Sequence, residues 1–265
     1  MLPPRALVGM VHVAALPGSP GARLSVARIA AQAADEARVL AECGFEGIIV
    51  ENMHDRPYVR APHGPETVAA MTVAAQAVRD AAPRATLGVQ VLSNGEREAL
   101  AIALAVGASF VRCESFVFAH VGDEGLMADA AAGPLLRYRR AIGAERVRVL
   151  CDVKKKHASH AITGDVSVGE AVRAAEFFLA DGVIVTGVAT GRPASVEDVR
   201  EARGATRLPV AVGSGVTPEQ VAALFDAGAD ALIVGSSIKR GGRWDRPVDA
   251  VRCRALARAV RSARR

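Results

Sequence analysis

Charged side chains lie at the ends of several short apolar segments, and their types suit acid–base chemistry. Glu51 is near the end of one such segment, Glu114 ends another, and Asp152 lies near the end of a third. A carboxylate in a cleft can accept a proton from a substrate and later return it. We therefore expect Asp152, Glu51 or Glu114 to transfer protons. His12, which ends the first apolar segment, is a further catalytic candidate.

Three consecutive lysines follow Asp152 and bring amine chemistry to the same region. We expect Lys154 or Lys156 to act as an electrophile or as the amine of a Schiff base. Val149, Cys151 and Val153 form one apolar face of this segment. Alternation then places Lys154 on the opposite face, together with Asp152. A solvated run of charges is the alternative interpretation of these lysines.

Side-chain alternation also points further polar groups to the same side of the neighbouring segments. Arg112 alternates with apolar neighbours, and the same pattern selects Gln90 and Thr186. Together with Asn52, these residues are predicted to bind a polar substrate. A purely structural network of ion pairs is the alternative. The pairs considered are Arg112 with Glu114 and Asp152 with Lys154.

Two segments that contain glycine and serine predict an anion site. Gly213, Ser214 and Gly215 follow the seventh apolar segment, and Gly235 and Ser236 follow the eighth. Glycine lets backbone N–H groups approach a phosphate closely, and barrels commonly bind phosphate at these two loops. We expect these five residues to bind phosphate or another small anion. Tight turns without a ligand are the alternative.

Eight β-branched segments alternate with Ala-rich helical segments along the chain. Eight strand–helix units in 265 residues predict an α/β fold, a single (β/α)8 TIM barrel over residues 1–265. A doubly wound open sheet is the alternative. The predicted strands are Leu7–His12, Gly47–Asn52, Thr86–Leu92, Ser109–Glu114, Arg146–Lys154, Gly182–Gly187, Pro209–Gly213 and Ala231–Gly235. The predicted helices are Val26–Glu42, Glu66–Ala81, Glu96–Val106, Pro134–Ile142, Ser167–Leu179, Val196–Arg203, Pro218–Asp226 and Val248–Ser262.

The connections differ in length, and this indicates where the site lies. Met53–Pro65, Ser115–Gly133 and Lys155–Val166 are long strand-to-helix loops, whereas the helix-to-strand connections are tight. Barrel sites are built from the strand-to-helix loops. We expect the catalytic and binding residues to meet at that end of the barrel.

Composition limits the classes of function. Apolar residues make up 51% of the chain, which allows a large core, and aromatic residues only 4%, which gives little support to base stacking. The net charge of +5 allows an anionic ligand. The four cysteines form no CxxC motif, and no signal peptide or membrane-spanning stretch is evident. We expect a cytoplasmic homo-oligomer that binds a small phosphorylated metabolite and no nucleic acid. The sequence also allows contact with a membrane surface.

The motifs of several common enzyme classes are absent. The sequence contains no GxSxG, no P-loop and no organic cofactor motif, and His12 is not part of a His-x-His pair. No protein metal site is predicted. Mg²⁺ held together with a phosphate is the form of metal binding that stays open.

Five motifs together point to a known family. They are Gly9-Met-Val-His-Val-Ala-Ala-Leu-Pro-Gly-Ser-Pro, Glu51-Asn-Met-His-Asp, Leu87-Gly-Val-Gln-Val-Leu, Asp152-Val-Lys-Lys-Lys-His-Ala and Val185-Thr-Gly-Val-Ala-Thr-Gly. They resemble motifs of the BtpA/SgcQ family, from about residue 7 to the last predicted strand. The resemblance implies a TIM barrel. It adds Asp55 and His157 to the substrate-binding residues, and the marked positions are His12, Glu51, Asn52, Asp55, Gln90, Asp152, Lys156 and His157.

The sequence departs from the resembled family at three places. His54 stands where glycine is usual, Glu114 where asparagine is commoner, and Lys155 where an apolar residue is expected. The founding member is linked to photosystem I biogenesis as a peripheral membrane protein, and other members occur with sugar-metabolism genes. The resemblance therefore implies no single reaction.

We expect an enzyme that acts on a small phosphorylated sugar or nucleoside-like molecule, as a lyase, isomerase or glycosyl-bond hydrolase. The alternative is a non-catalytic accessory factor for the biogenesis of a membrane complex.

Overall fold

The computed structural model describes residues 2–187 and 194–264, and within them eight parallel strands form a closed barrel. We number the barrel strands β1 to β8 in chain order. Each strand pairs with its sequence neighbours, and β8 closes the barrel by pairing with β1 from Ala6–Ala231 to Gly9–Val234. This confirms the predicted TIM barrel. The strands are Ala6–His12, Gly47–Glu51, Thr86–Gln90, Phe110–Cys113, Arg148–Val153, Gly182–Thr186, Val210–Gly213 and Ala231–Val234.

Eight α-helices, α1 to α8 in chain order, surround the barrel in the described part of the chain. Polar side chains cap several of them: Ser25 accepts a hydrogen bond at the start of α1, and Ser167 does so at the start of α5. No helix within residues 2–187 and 194–264 is both long and apolar enough to cross a bilayer. The helices are Val26–Glu42, Pro65–Ala81, Glu96–Val106, Ala132–Ala141, Val168–Phe177, Val196–Ala205, Val221–Asp226 and Ala250–Ala263.

The strand side chains divide between two apolar layers, as alternation requires. Outward residues such as Val149 and Cys151 pack with the helices in the larger layer. Inward residues such as Phe110, Leu150 and Ile184 fill the barrel interior in the smaller layer. The interior is therefore a packed core, and the buried polar side chains of Glu51, Gln90 and Asp152 lie at or near the carboxyl ends of their strands.

A small antiparallel sheet, which the sequence analysis does not predict, lies beyond the carboxyl ends of the strands. We call it the rim sheet. Its three strands are His120–Gly122, Gly125–Met127 and Ala158–Ser159. They come from two of the three long loops, those after β4 and β5. The strands are two or three residues long, which is too short for alternation to show in the sequence.

Candidate active site

A cavity of about 240 Å³ opens at the carboxyl end of the barrel. Its walls combine residues at or just beyond the strand ends, residues of the loops after β2 and β8, and the turn of the rim sheet. Charged groups of both signs dominate them. The lining residues are Glu51, Met53, Arg56, Tyr58, Gln90, Leu92, Arg112, Glu114, Asp123, Glu124, Asp152, Lys155, Lys156, His157 and Trp244.

Arg112 and Asp152 form a bidentate ion pair in the cavity wall. Arg112 Nε donates to Asp152 Oδ1 and Nη2 to Oδ2, both at 2.8 Å. Both side chains are buried. Burial would lower the pKa of Arg112, but the Asp152 carboxylate raises it, and the net shift is upward. The pair holds a fixed positive group beside a fixed carboxylate.

Glu114 and Lys155 form a second buried pair. Lys155 Nζ lies 3.1 Å from Glu114 Oε1, while the other carboxylate oxygen accepts a hydrogen bond from Asn94 N. Burial would raise the pKa of Glu114, but the neighbouring ammonium group lowers it, and the pKa of Lys155 is raised in turn by the carboxylate despite its burial. Two of the positions at which the sequence departs from the resembled family, Glu114 and Lys155, are thus each other's partners.

His12 and Glu51 make a contact that needs a shared proton. His12 Nδ1 lies 3.1 Å from the Trp244 carbonyl oxygen, so Nδ1 carries a hydrogen. Nε2 then faces Glu51 Oε2 at 3.4 Å. Burial lowers the pKa of His12 well below its ordinary value, and burial also raises the pKa of Glu51. Burial thus disfavours the charged form of both groups, so that a single proton between them is held more tightly by Glu51 and less tightly by His12 than in water.

Lys156 is a cavity cation without an acidic partner, as is Arg56, which instead lies over the Trp244 ring. Among the described residues, no carboxylate lies within ion-pair distance of Lys156 Nζ, whereas Lys155 and Arg112 are both paired. The backbone N–H of Lys156 donates to Thr186 Oγ1 at 3.1 Å, which fixes the start of the loop after β5. Burial, followed by the charge of Arg112, lowers the pKa of the Lys156 amine.

Gln90 supplies a buried amide at the end of β3. Its side chain lines the cavity and is almost completely buried. In the described part of the chain, Oε1 has no hydrogen-bond partner. A buried acceptor without a donor costs free energy, so this group is suited to a donor that a ligand brings.

The structure corrects the prediction that Lys154 points into the barrel. Strand β5 ends at Val153, and Lys154 has a φ of 46°. This left-handed conformation breaks the alternation on which the prediction rests. Lys154 lines a separate cavity of about 30 Å³ instead, and Lys155 takes the position beside Glu114.

Asn52 and Asp55, which were predicted to bind substrate, are not among the described residues that line the cavity, and their side chains bond to the neighbouring loops. Asn52 Oδ1 accepts from Leu92 N at 2.7 Å, and its Nδ2 donates to Leu92 O and to Asp55 Oδ2. Asp55 in turn accepts from Leu16 N at 2.6 Å. These bonds use both ends of the Asn52 amide, so its role is to position the loops after β1, β2 and β3.

The remaining predicted substrate-binding residues take different positions. His157 lines the cavity at its exposed edge. Thr186 is buried behind it and accepts the hydrogen bond from Lys156 N. Thr186 therefore positions Lys156. The quoted motif that begins at Val185 continues into residues 188–193, which lie outside the described residues.

The two predicted phosphate loops adjoin the cavity but do not form its wall. None of their residues is among the described residues that line it. A Cβ atom placed on Gly213 would lie 4.0 Å from Arg112 Nη2, and one on Gly235 would lie 3.4 Å from the His12 ring. Ser214 and Gly215 follow in the left-handed region, with φ of 74° and 63°. Both loops thus contact residues that take part in the site.

Sequence reasoning pointed to the loops after β2 and β8 but missed four of their cavity residues, which are Met53, Arg56, Tyr58 and Trp244. Trp244 packs 5.0 Å from the His54 ring, and the Arg56 guanidinium lies 4.7 Å from the Trp244 ring centre. Tyr58 donates to Met53 O. The one signal was composition, because Trp244 is the only tryptophan of the chain. Loop residues have no periodicity from which their direction could be predicted.

The arrangement can hold a polar molecule and move a proton. It presents an exchangeable proton at Glu51, an unpaired amine at Lys156 and an unpaired acceptor at Gln90. Within residues 2–187 and 194–264, no group of three or more His, Cys, Asp or Glu side chains could hold a metal ion.

Solved structures with the same fold resemble the chain at low sequence identity. Thiamine phosphate pyrophosphorylase from Pyrococcus furiosus matches with a TM-score of 0.61 and 14% identity, covering 98% of this chain and 96% of that one. (S)-3-O-geranylgeranylglyceryl phosphate synthase from Thermoplasma acidophilum, in complex with its substrate sn-glycerol-1-phosphate, matches with a TM-score of 0.58 and 16% identity, covering 98% and 94%. These likenesses establish the fold.

Relatives at higher identity match over almost the whole chain. An uncharacterized mitochondrial protein from Caenorhabditis elegans is 43% identical over 261 residues, 97% of this chain and 93% of the relative. Photosystem I biogenesis protein BtpA from Synechocystis is 36% identical over 255 residues, 96% of this chain and 87% of the relative. The model of the BtpA family matches residues 4–262. The resemblance found in the motifs is thereby confirmed, and the chain belongs to the BtpA family.

Proposed function

We propose that this protein is an enzyme that binds a small phosphorylated sugar or a nucleoside-like molecule at the carboxyl end of the barrel. The observation that carries the proposal is the contact between Glu51 and His12, which keeps an exchangeable proton beside a cavity lined by charged groups. A volume of about 240 Å³ suits a small metabolite and is at the lower end of typical ligand sites.

The phosphate is proposed to bind at the loops after β7 and β8. Gly213 places the first loop beside Arg112, and Gly235 places the second beside His12. The names of two proteins with this fold, thiamine phosphate pyrophosphorylase and geranylgeranylglyceryl phosphate synthase, refer to phosphorylated compounds. Both considerations support a phosphorylated ligand whose other end reaches the cavity.

The chemistry is proposed to be proton transfer to and from the substrate. In its protonated form the carboxyl group of Glu51 donates a proton and then, as a carboxylate, accepts one, with His12 beside it in either state. Gln90 Oε1 accepts a hydrogen bond from a substrate hydroxyl group. This scheme fits a lyase, an isomerase or a glycosyl-bond hydrolase.

An accessory role without catalysis is the second candidate, because one relative is named for photosystem I biogenesis. That role needs no ligand in the cavity. The two candidates therefore differ in what small phosphorylated molecules do to the stability of the protein.

A thermal-shift comparison of matched pairs tests the proposal. Ribose 5-phosphate and dihydroxyacetone phosphate are compared with ribose, dihydroxyacetone and inorganic phosphate. We expect at least one phosphorylated probe to raise the melting temperature more than its unphosphorylated partner does, because binding to the folded state stabilises it. Stabilisation by none of the phosphorylated probes would refute the enzymatic proposal and favour the accessory role.

Gly213→Ala tests the position of the phosphate. The added Cβ would meet its nearest neighbours at 3.5 Å or more, so the variant should fold, yet it protrudes beside Arg112. We expect about tenfold weaker binding of the phosphorylated probe, roughly 1.4 kcal/mol. Gly204→Ala in α6 is the matched control, since a Cβ there meets nothing within 4 Å. Equal binding by both variants would place the phosphate elsewhere.

A further inference from the structure

The chain uses lysine at very few positions. Of its 33 Lys and Arg residues, only four are lysines, and the other 29 are arginines. All four lysines follow a barrel strand at the carboxyl end: Lys154, Lys155 and Lys156 after β5, and Lys239 after β8. An amine can lose its proton and attack a carbon atom, whereas a guanidinium group in a protein stays protonated. The lysines are thus confined to the end of the barrel that contains the cavity.

Three of these four amines are either held in an ion pair or lie outside the wall of the main cavity. Lys239 Nζ lies 3.2 and 3.0 Å from the two carboxylate oxygens of Glu36, and Lys155 is paired with Glu114. Lys154 lines the separate 30 Å³ cavity. These contacts leave Lys156 as the one lysine that lines the main cavity without an ion-pair partner among the described residues.

The surroundings of Lys156 suit a neutral amine. After burial, the charge of Arg112 has the largest influence on the pKa of Lys156 and lowers it, while the carboxylates of Glu51, Asp152 and Glu114 oppose this; the net shift is downward. Its backbone is held by Thr186, so the amine is presented from a fixed point. Lys156 is half-buried, and an amine beside a second cation is a usual arrangement of a nucleophilic lysine.

We propose that Lys156 forms a covalent imine with the carbonyl carbon of a phosphorylated β-hydroxy ketone, and that the protein is a carbon–carbon lyase. This inference rests on the proposed function, because it assumes that a phosphorylated substrate occupies the cavity.

The steps balance with water as the one additional reactant. Lys156 Nζ attacks the carbonyl carbon, and a proton moves from nitrogen to oxygen to give a carbinolamine. Glu51 protonates the hydroxyl group, water leaves and a protonated imine remains. The Glu51 carboxylate then removes the proton of the β-hydroxyl group, the Cα–Cβ bond breaks, an aldehyde departs and the electron pair forms an enamine. Glu51 returns the proton to the enamine carbon, and water hydrolyses the imine to release the ketone.

Borohydride trapping tests the covalent step. The protein is incubated with dihydroxyacetone phosphate, xylulose 5-phosphate or fructose 6-phosphate, reduced with sodium borohydride, and analysed by intact mass and peptide sequencing. Glycerol 3-phosphate, which has no carbonyl group, and unphosphorylated dihydroxyacetone are the chemical controls. We expect one phosphorylated ketone to give a single adduct on Lys156. With only four lysines in the chain, the assignment is direct.

Two variants separate a specific imine from random labelling. Lys156→Arg keeps the positive charge but cannot form the imine, and we expect it to lose the adduct while it still binds the probe in the thermal-shift assay. Lys154→Arg, two residues away and outside the cavity wall, should keep the adduct. If Lys156→Arg fails to fold, trace acetylation of the unmodified protein with acetic anhydride replaces it. Lys156 should then react at least tenfold faster than Lys155 and Lys239 at neutral pH.

The outcomes distinguish a failure of the imine from a failure of the proposed function. Stabilisation by a phosphorylated ketone without a trapped adduct overturns the imine and leaves the proposed function standing. No stabilisation and no adduct overturns both. An adduct spread over several lysines, an adduct retained in Lys156→Arg, or slow acetylation of Lys156 also overturns the covalent role.

Discussion

At the residue scale, Glu96 is a buried carboxyl group whose titration should appear in the stability of the protein. It begins α3, and its Oε1 accepts hydrogen bonds from Glu114 N and Ser115 N at 3.2 and 3.3 Å. Burial raises the pKa of Glu96 to about 7. Between pH 4.5 and pH 7 the folded protein therefore keeps a proton that the unfolded chain has lost, and stability falls as the pH rises.

Glu96→Gln should remove this pH dependence while keeping an acceptor for the two backbone N–H groups. We expect the variant to gain stability relative to the unchanged protein between pH 5 and pH 8, by an amount on the order of 2–3 kcal/mol. Urea unfolding at pH 5, 6, 7 and 8 measures the difference. Glu98→Gln on the same helix is the control, and it should show no such trend. A constant difference between Glu96→Gln and the unchanged protein would show that Glu96 is already ionised at pH 5.

At this scale the sequence predicts the direction of side chains better than their pairing. Alternation correctly places Arg112 and Asp152 in the cavity, but the pairs expected within single strands do not form. Arg112 instead reaches across from β4 to Asp152 on β5, where Arg112 is opposite Leu150 in the register. Groups two residues apart on one strand are separated by about 6.6 Å along it, whereas adjacent strands are about 4.8 Å apart. Pairing therefore depends on the register, which one sequence does not contain.

At the element scale, the tightest approach that a strand glycine makes to a neighbouring strand lies in the barrel interior, between β3 and β4. Gly88 on β3 lies beside the ring of Phe110 on β4, and a Cβ added to Gly88 would come within 2.3 Å of that ring. The glycine leaves the space that the aromatic side chain fills in the interior layer. A residue without a side chain on β3 is thus matched with a large aromatic residue on β4, and the two together fill this part of the interior.

Gly88→Ala should destabilise the protein by overpacking, by roughly 1–3 kcal/mol. Adding Phe110→Leu should recover part of that loss, because the smaller side chain makes room for the new methyl group. Equilibrium unfolding of the two single variants and the double variant measures the coupling. If the free-energy changes of the two single variants simply add in the double variant, the Phe110 ring moves away from the new methyl group without cost. Gly204→Ala, an open helical position, should cost nothing.

Strands and helices could be predicted from the sequence where a hydrophobic pattern repeats over many residues. They were missed where the segment is only two or three residues long. All eight barrel strands and eight helices follow from segments of repeated pattern, with ends that differ by a few residues. The rim sheet was not predicted, because a strand such as Ala158–Ser159 has two residues and forms only by pairing with His120–Gly122. The end of β5 was placed one residue too late because the backbone turns left-handed at Lys154.

At the scale of the whole molecule, the barrel separates a packed interior from one reactive end. The interior layer is apolar from Ala6 to Ile233, and the ionisable groups of the cavity lie at or just beyond the strand ends. Glu51, Gln90, Arg112, Asp152 and Trp244 bring β2, β3, β4, β5 and the loop after β8 into the cavity wall, and His12 at the end of β1 contacts Glu51. A ligand bound in the cavity would therefore contact most of the barrel strands or the loops that follow them.

Trp244 allows that coupling to be measured, because it is the only tryptophan and lines the cavity. A phosphorylated probe that stabilises the protein should also change Trp244 fluorescence with saturation. At 100 times its Kd, the probe should add about 2.7 kcal/mol to the free energy of unfolding. We expect the same shift in urea unfolding followed by fluorescence, which reports the cavity, and by far-UV circular dichroism, which reports the whole barrel. Since β8 closes on β1 and residues 1–265 are predicted to form one domain, the two transitions should coincide with and without the probe. A shift in fluorescence alone would mean that the cavity end unfolds separately from the rest of the barrel.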